Sequence, residues 1–282
     1  MSLIDFNGIS VPNIGIGTWH MGSDSSNYER DRDVITYGIQ HGATVIDTAE
    51  MYGSGDSELL VGDAIKELDR DKIFLISKFY PNNATEPNLS RALDGSLKRL
   101  DTDYLDLYLY HWRGSAPLEK TVSELEALKQ KGKIRHWGVS NFDIDDMQEL
   151  VSVPNGKNVF TNEDLYNMGV RGVEYSLLPW QRKHNLPLIA YAPMDEGDSR
   201  HHNIERNSIL QKVADKHNVS VYQVMLAWTI RDQNTIAIPQ TTSKKHMLDN
   251  IAAGKIKLDK DDLDMINTAF PAPNHKTPLD II

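Results

Sequence analysis

Short apolar runs alternate with amphipathic stretches eight times along this chain, and few architectures accommodate that order. The runs are residues 14–17, 45–47, 73–78, 105–111, 134–140, 159–164, 187–192 and 235–238. Most are apolar throughout, as expected of parallel strands covered on both faces. The stretches between them carry helical spacing. Leu89, Leu93, Leu97 and Leu100 form one stripe, with Arg91, Lys98 and Arg99 elsewhere. Val122, Leu125 and Leu128 repeat the pattern in residues 117–131, which close on a basic turn and Gly132. Strand–helix alternation of this length predicts a (β/α)8 TIM barrel, an α/β fold. A doubly wound open sheet is the alternative. Apolar residues 4–6 and 9–11 flank Asn7-Gly8, a β-hairpin signal that would cap the bottom of the barrel. Extra helices fit residues 208–217 and 221–231, near the C-terminus. No linker or low-complexity run divides residues 1–282, so a single domain is expected. The tail beyond Phe270, with Pro271, Pro273 and Pro278, reads as an irregular surface segment.

Composition narrows the function classes. A formal net charge of -10 argues against nucleic-acid or anionic-membrane surfaces, which need a positive field. With no cysteine, disulfides, thiolate nucleophiles and zinc–thiolate centres are excluded. The first residues carry no basic region followed by an apolar run. No apolar stretch approaches the roughly 18 residues of a membrane helix. A cytoplasmic protein is the expectation.

In a barrel the chemistry sits at the C-terminal ends of the strands. Those ends carry Asp47, Lys78, His111, Ser140-Asn141 and Tyr191, with Tyr52 just after the second strand in D-T-A-E-M-Y-G-S-G. Singly, each has a bland explanation: Asp47 as a turn cap, Lys78 as a solvated strand end, His111 as a packed core histidine. Together they point elsewhere. Lysine is almost never buried unless paired, and Asp47 on the neighbouring strand is its natural partner. A tyrosine, at an unperturbed pKa of about 10, transfers protons poorly at neutral pH. An adjacent ammonium favours the phenolate, so Lys78 is expected to make Tyr52 more acidic. Such a site would protonate a carbonyl oxygen while His111 donates a hydrogen bond to it.

The chain resembles the aldo-keto reductases, particularly the bacterial branch that reduces methylglyoxal or diketo sugars. The match rests on G-I-G-T-W from Gly15, D-T-A-E-M-Y-G from Asp47, I-S-K ending at Lys78 and Y-H-W around His111. G-V-S-N-F from Gly138, A-Y-A-P from Ala190 and I-P-Q ending at Gln240 follow in the family's order. The resemblance implies a catalytic tetrad of Asp47, Tyr52, Lys78 and His111. Tyr52 would be the general acid, Lys78 and Asp47 would tune it, and His111 would orient the carbonyl. It implies a pocket wall containing Trp19 and Trp112, although core aromatic packing explains both as well. It implies a nicotinamide cofactor and a small carbonyl substrate, and it favours a monomer.

No dinucleotide fingerprint is present, since G-I-G-T-W-H lacks the third glycine of G-x-G-x-x-G. By resemblance, the cofactor instead meets Gly17, Thr18, Asp47, Ser140, Asn141, Glu163, Tyr191 and Met194. The segment after the last strand adds Pro239, Gln240, Thr241, Thr242, Ser243, His246, Asp249 and Asn250. Three departures stand out. Glu163 replaces the usual Gln and can donate only when protonated. Ala192 replaces a common Ser. Gln240 and His246 stand where the family usually has Lys and Arg for the 2′-phosphate of NADPH. A helix N-terminus near Lys244 could still hold a phosphate, with Lys244 or Lys245 supplying charge. NADPH with weakened preference, and real use of NADH, is the expectation. The acidic run Asp195-Glu196-Gly197-Asp198 and the pair His201-His202 read as solvated loops, the latter without metal-site spacing. Two rival functions remain: a nicotinamide sensor on the same fold, and a sugar-phosphate lyase or isomerase barrel.

Overall fold

The computed structural model describes residues 2–195, 204–232 and 234–282. Residues 196–198 of the acidic run and the His201-His202 pair lie outside them, whereas Asp195 is described and, contrary to the solvated-loop expectation, is buried and lines the cleft above the barrel. Strands β1 (Leu3–Phe6) and β2 (Ile9–Pro12) form an antiparallel hairpin. Asn7 and Gly8 turn it at φ +53° and +90°, a pair of left-handed conformations that Asn and Gly adopt readily.

Eight parallel strands follow in sequence order: β3 (Ile16–Gly17), β4 (Val45–Asp47), β5 (Phe74–Phe79), β6 (Leu105–Tyr110), β7 (Ile134–Ser140), β8 (Asn162–Leu165), β9 (Leu188–Tyr191) and β10 (Thr235–Ala237). Each pairs with its predecessor. A parallel bridge from Ile14 to Ala237 joins the first to the last. Gly15 N donates to Ala237 O (2.8 Å), Ala237 N to Asn13 O (3.0 Å) and Gly17 N to Pro239 O (3.1 Å). The open doubly wound sheet is thereby ruled out.

The intervening helices are α1 (Tyr28–Gln40), α2 (Asp56–Ile65), α3 (Asn88–Leu100), α4 (Leu118–Gln130), α5 (Ile144–Ser152) and α6 (Leu177–Lys183). Between β9 and β10 stand α7 (Ser208–His217) and α8 (Val221–Thr229), as the spacing predicts. After β10 come α9 (Lys244–Ala253) and α10 (Lys260–Ala269). Most predicted strands shift by one or two residues. The largest difference is β8, which begins at Asn162 rather than Val159. Val159 N is bonded back to Gly156 O (3.2 Å), closing a turn instead of joining the ladder.

Two apolar layers result. Leu89, Leu93 and Leu97 of α3 and Val122, Leu125 and Leu128 of α4 belong to the shell between helices and sheet. Inside the barrel, Val45, Phe74, Ile76, Leu107, Leu109, Ile189 and Ile236 pack on Phe6 and Phe160. Phe6 meets Phe74 and Phe160 edge-on, so the hairpin plugs the bottom. Strand period two continues each inward row upward: Val45 to Asp47, Ile76 to Lys78, Leu109 to His111, Ile189 to Tyr191. The apolar floor therefore carries an ionisable layer above it.

Candidate active site

Lys78 is the hub of that layer, with no exposed surface. Its Nζ donates to Asp47 Oδ1 (2.6 Å) and Oδ2 (2.7 Å), lies 3.0 Å from Tyr52 Oη and 3.3 Å from Glu163 Oε1, and reaches Thr48 O at 3.2 Å. The Tyr52 ring sits under the ammonium at 4.8 Å. Tyr52 comes from a tight turn over residues 52–55, where Gly53 and Ser54 both take left-handed backbone angles. That turn brings its ring within 5.8 Å of His111 and 6.4 Å of Trp19. The four tetrad residues thus converge, as their strand-end positions predict.

Electrostatics follow from burial. Burial opposes charge on Lys78, but the carboxyls of Asp47 and Glu163 overrule it and push its pKa up, so it is an ammonium. Burial and the nearby ammonium hold His111 well below the usual imidazole range, so it is neutral. Its Nδ1 has no hydrogen-bond partner. Tyr52 differs from expectation. Lys78 does pull its pKa down, yet burial pushes it up more, aided by Asp47 and Glu163, and the phenol is raised. The isolated site therefore stores Tyr52 in its protonated form.

Behind this layer, Ser140 Oγ donates to Glu163 O (2.9 Å), and Asn141 Nδ2 donates to His111 O (3.1 Å) and Ser140 Oγ (3.0 Å). Tyr191 Oη donates to Asn141 Oδ1 (2.7 Å). Ser140, Asn141 and Glu163 are almost fully buried. Trp112 lies beside His111 and edge-on to Tyr80, at 4.9 and 5.8 Å between ring centres.

A cleft of about 810 Å³ opens above. Gly17, Thr18, Trp19, Asp47 and Tyr52 line one end, and Tyr191 and Met194 one wall. Pro239, Gln240, Thr241, Thr242, His246, Asp249 and Asn250 line the rest, while Ser243 caps α9 through His246 N. Lys78, His111, Ser140, Asn141, Glu163 and Trp112 are not among the lining residues. Thr18 Oγ1 donates to Asp47 O (2.8 Å) and accepts from Ser57 Oγ (2.7 Å), which ties the cleft floor to α2. Of the two lysines opening α9, Lys245 lines the cleft, whereas Lys244 lies over the Tyr37 ring at 5.5 Å. Sequence reasoning missed His20, Glu205, Ser220, Tyr222 and Ile282, which also line it. His20 stacks on Trp19, and its N–H points to Gln240 Oε1 (3.4 Å). No motif signals these residues; the insertion between β9 and β10 and the tail bring most of them in.

Comparison with known proteins agrees with this geometry. Residues 13–270 match the aldo/keto reductase family. Methylglyoxal reductase YeaE of Escherichia coli K12 is 44% identical over 281 residues, 99% of each chain. Glyoxal reductase of Bacillus subtilis is 30% identical, covering 93% of this chain and 90% of its own. An aldo/keto reductase from Klebsiella pneumoniae, solved with NADP and acetate, superposes at a TM-score of 0.96 with 42% identity over 99% of each chain. By sequence, fold and the convergence of its strand ends, the chain belongs to the aldo/keto reductase family.

Proposed function

We propose that the protein reduces the carbonyl of small aldehydes, with α-oxoaldehydes such as methylglyoxal first among them, using a nicotinamide cofactor and Tyr52 as proton donor. The observation that carries this is Lys78 Nζ, held between Asp47 and Tyr52 Oη at the base of the cleft. The residues fit a nicotinamide dinucleotide. The cleft wall carries the Tyr191 ring. The cleft also carries the hydroxyls of Thr241 and Thr242, the N-terminus of α9 and the Lys245 ammonium, which suit phosphate. When bound, the reduced nicotinamide supplies the hydride that the carbonyl carbon receives.

The chain's own residues do the rest. Tyr52 holds a proton where negative charge develops on the carbonyl oxygen, and Lys78 stabilises the phenolate left behind. Asp47 keeps Lys78 charged and aimed. Neutral His111 offers one N–H to orient the oxygen. Trp19 and the buried floor keep water from the reacting centre. Trp112 supports His111 from the side. With Gln240 and His246 in place of cations, Lys245 is the charge available to a 2′-phosphate, so NADPH is preferred only modestly and NADH serves as well. Family likeness supports a cytoplasmic monomer.

The test is oxidation of NADPH and NADH, side by side, with methylglyoxal and an aromatic aldehyde, in wild type and Tyr52→Phe. Loss of about 10²–10⁴-fold in the variant, with cofactor binding kept, is expected of a general acid. Retention of most of the rate would reassign the acid. Cofactor binding without turnover in wild type would favour the sensor.

A further inference from the structure

Glu163 carries a carboxyl that the mechanism above does not use. It is 1% exposed, as is Asp47. Lys78 Nζ lies 3.3 Å from Glu163 Oε1 and 2.6 Å from Asp47 Oδ1. Both carboxyls therefore share one ammonium, and Glu163 Oε2 has no donor. An ionised carboxylate only accepts hydrogen bonds. Two ionised carboxylates buried on a single ammonium leave a net negative charge out of water, which favours a proton on one of them. Burial and the Asp47 charge both favour placing it on Glu163.

The surrounding groups leave no other role for that proton. From β9, Tyr191 has given its hydroxyl hydrogen to Asn141. From β7, Ser140 has given its own to the Glu163 carbonyl. Tyr52, from the turn after β4, is a neutral phenol. His111, from β6, is neutral. Asp164, next along β8, is fully buried, and burial raises its pKa well above the usual range. Lys78 is the cation in the set. With one shared proton the Lys78–Asp47–Glu163 cluster is neutral; without it the cluster is an anion. Asp47 lines the cleft, so charge arriving there reaches Glu163 through the Lys78 ammonium that both carboxyls share.

We propose that Glu163 selects the redox state of the bound nicotinamide: it is a neutral acid, sharing Lys78 with Asp47, beside the uncharged ring, and releases its proton to solvent beside the positively charged one. This rests on the nicotinamide reading above. The step is a simple dissociation in which the O–H bond breaks and its electron pair stays on the carboxylate. Proton loss creates the anion that favours the oxidised cofactor. By linkage, the ratio of NADP⁺ to NADPH dissociation constants falls by up to about tenfold per pH unit between the cluster's pKa values in the two complexes. Glu163 thus acts on cofactor choice through Asp47, as a positioning and selecting residue. Glu163→Gln keeps the shape but cannot ionise.

Dissociation constants for NADP⁺ and NADPH are measured without carbonyl by tryptophan fluorescence from pH 6 to 9. The 2′-phosphate titrates in both cofactors and cancels in the ratio. Calorimetry in two buffers of different ionisation enthalpy counts protons released. The wild type should show the falling ratio and release protons with NADP⁺ but not NADPH. Glu163→Gln should show a flat ratio and no release, whereas Tyr52→Phe should keep both effects. A flat wild-type ratio, a slope that survives in Glu163→Gln, or one lost in Tyr52→Phe would overturn the proposal while leaving the reductase reading intact. No binding of either cofactor at any pH would overturn both. The wild-type measurement decides the first point even if the variant folds poorly.

Discussion

Replacing Lys78 by Met removes the ammonium but keeps the apolar stem. In the native site that ammonium lies 2.6 and 2.7 Å from the two Asp47 oxygens. Without it, Asp47 has two ways to remain buried. Staying ionised and unpaired costs about 3–5 kcal/mol. Taking up a proton, from an ordinary pKa of about 3.9, costs about 4 kcal/mol at pH 7. The second route caps the loss and gives it a signature, because the cost shrinks by about 1.4 kcal/mol per unit of acidification. Folding would then take up a proton that the unfolded chain lacks at neutral pH. Stability is therefore fully present below the unfolded carboxyl's pKa and is lost as pH rises toward the raised folded value. Burial already holds Glu163 well above the usual range and raises Asp47 despite Lys78, which gives the wild type such a slope; the variant steepens it. Urea titrations should show a deficit near 4 kcal/mol at pH 7, shrinking to about 1–2 kcal/mol at pH 5. Adding Asp47→Asn should restore most of the stability and none of the turnover. A pH-independent deficit, or one below about 1 kcal/mol at pH 7, would show that the ammonium is not what keeps Asp47 ionised.

Three further outcomes are expected. Gln240→Lys combined with His246→Arg should raise the NADPH over NADH preference about 10–100-fold in kcat/KM, the value of one or two charged hydrogen bonds; an unchanged ratio would place the 2′-phosphate elsewhere. Gly17→Ala would set a Cβ 2.6 Å from Ile238 O and should destabilise the barrel by about 1–3 kcal/mol, read as a fall in urea midpoint. Because His111 is held neutral, it contributes stability that is present above an unfolded pKa of about 6.5 and lost as pH falls toward its depressed folded value. His111→Gln should flatten that acid limb of the stability profile, and a limb of unchanged steepness would count against a buried neutral imidazole.

The barrel and the tetrad were legible because both depend on short-range pattern. Strand period two, applied at Val45-Ile46-Asp47 and Ile76-Ser77-Lys78, already sends Asp47 and Lys78 to one side. The rarity of unpaired buried lysine then joins them. The sharing of Lys78 by Asp47 and Glu163 was not legible. It runs across the barrel between β4 and β8, which are not neighbours, and depends on how far the ring is sheared. The choice between Lys244 and Lys245 was equally hidden, since one residue of helix rotation decides which faces the cleft. The protonation of Tyr52 turned on depth of burial, which no motif encodes. Tyr222 stands at the start of the predicted α8, but Glu205 and Ile282 reach the cleft through segments whose course follows no periodic pattern.

The seam between Ile14 and Ala237 has a consequence for how the molecule holds its shape. It joins the strands most distant along the chain, so its closure carries the largest loop entropy of any joint in the ring. Three backbone hydrogen bonds fasten it, two of which make the Ile14–Ala237 bridge. The cleft lies across this same joint: Gly17 and Thr18 form one bank, Pro239 to Thr242 the other. A ligand gripping both banks works as a clasp on the ring. A ligand that binds only the closed ring adds its binding free energy to the closure of this joint.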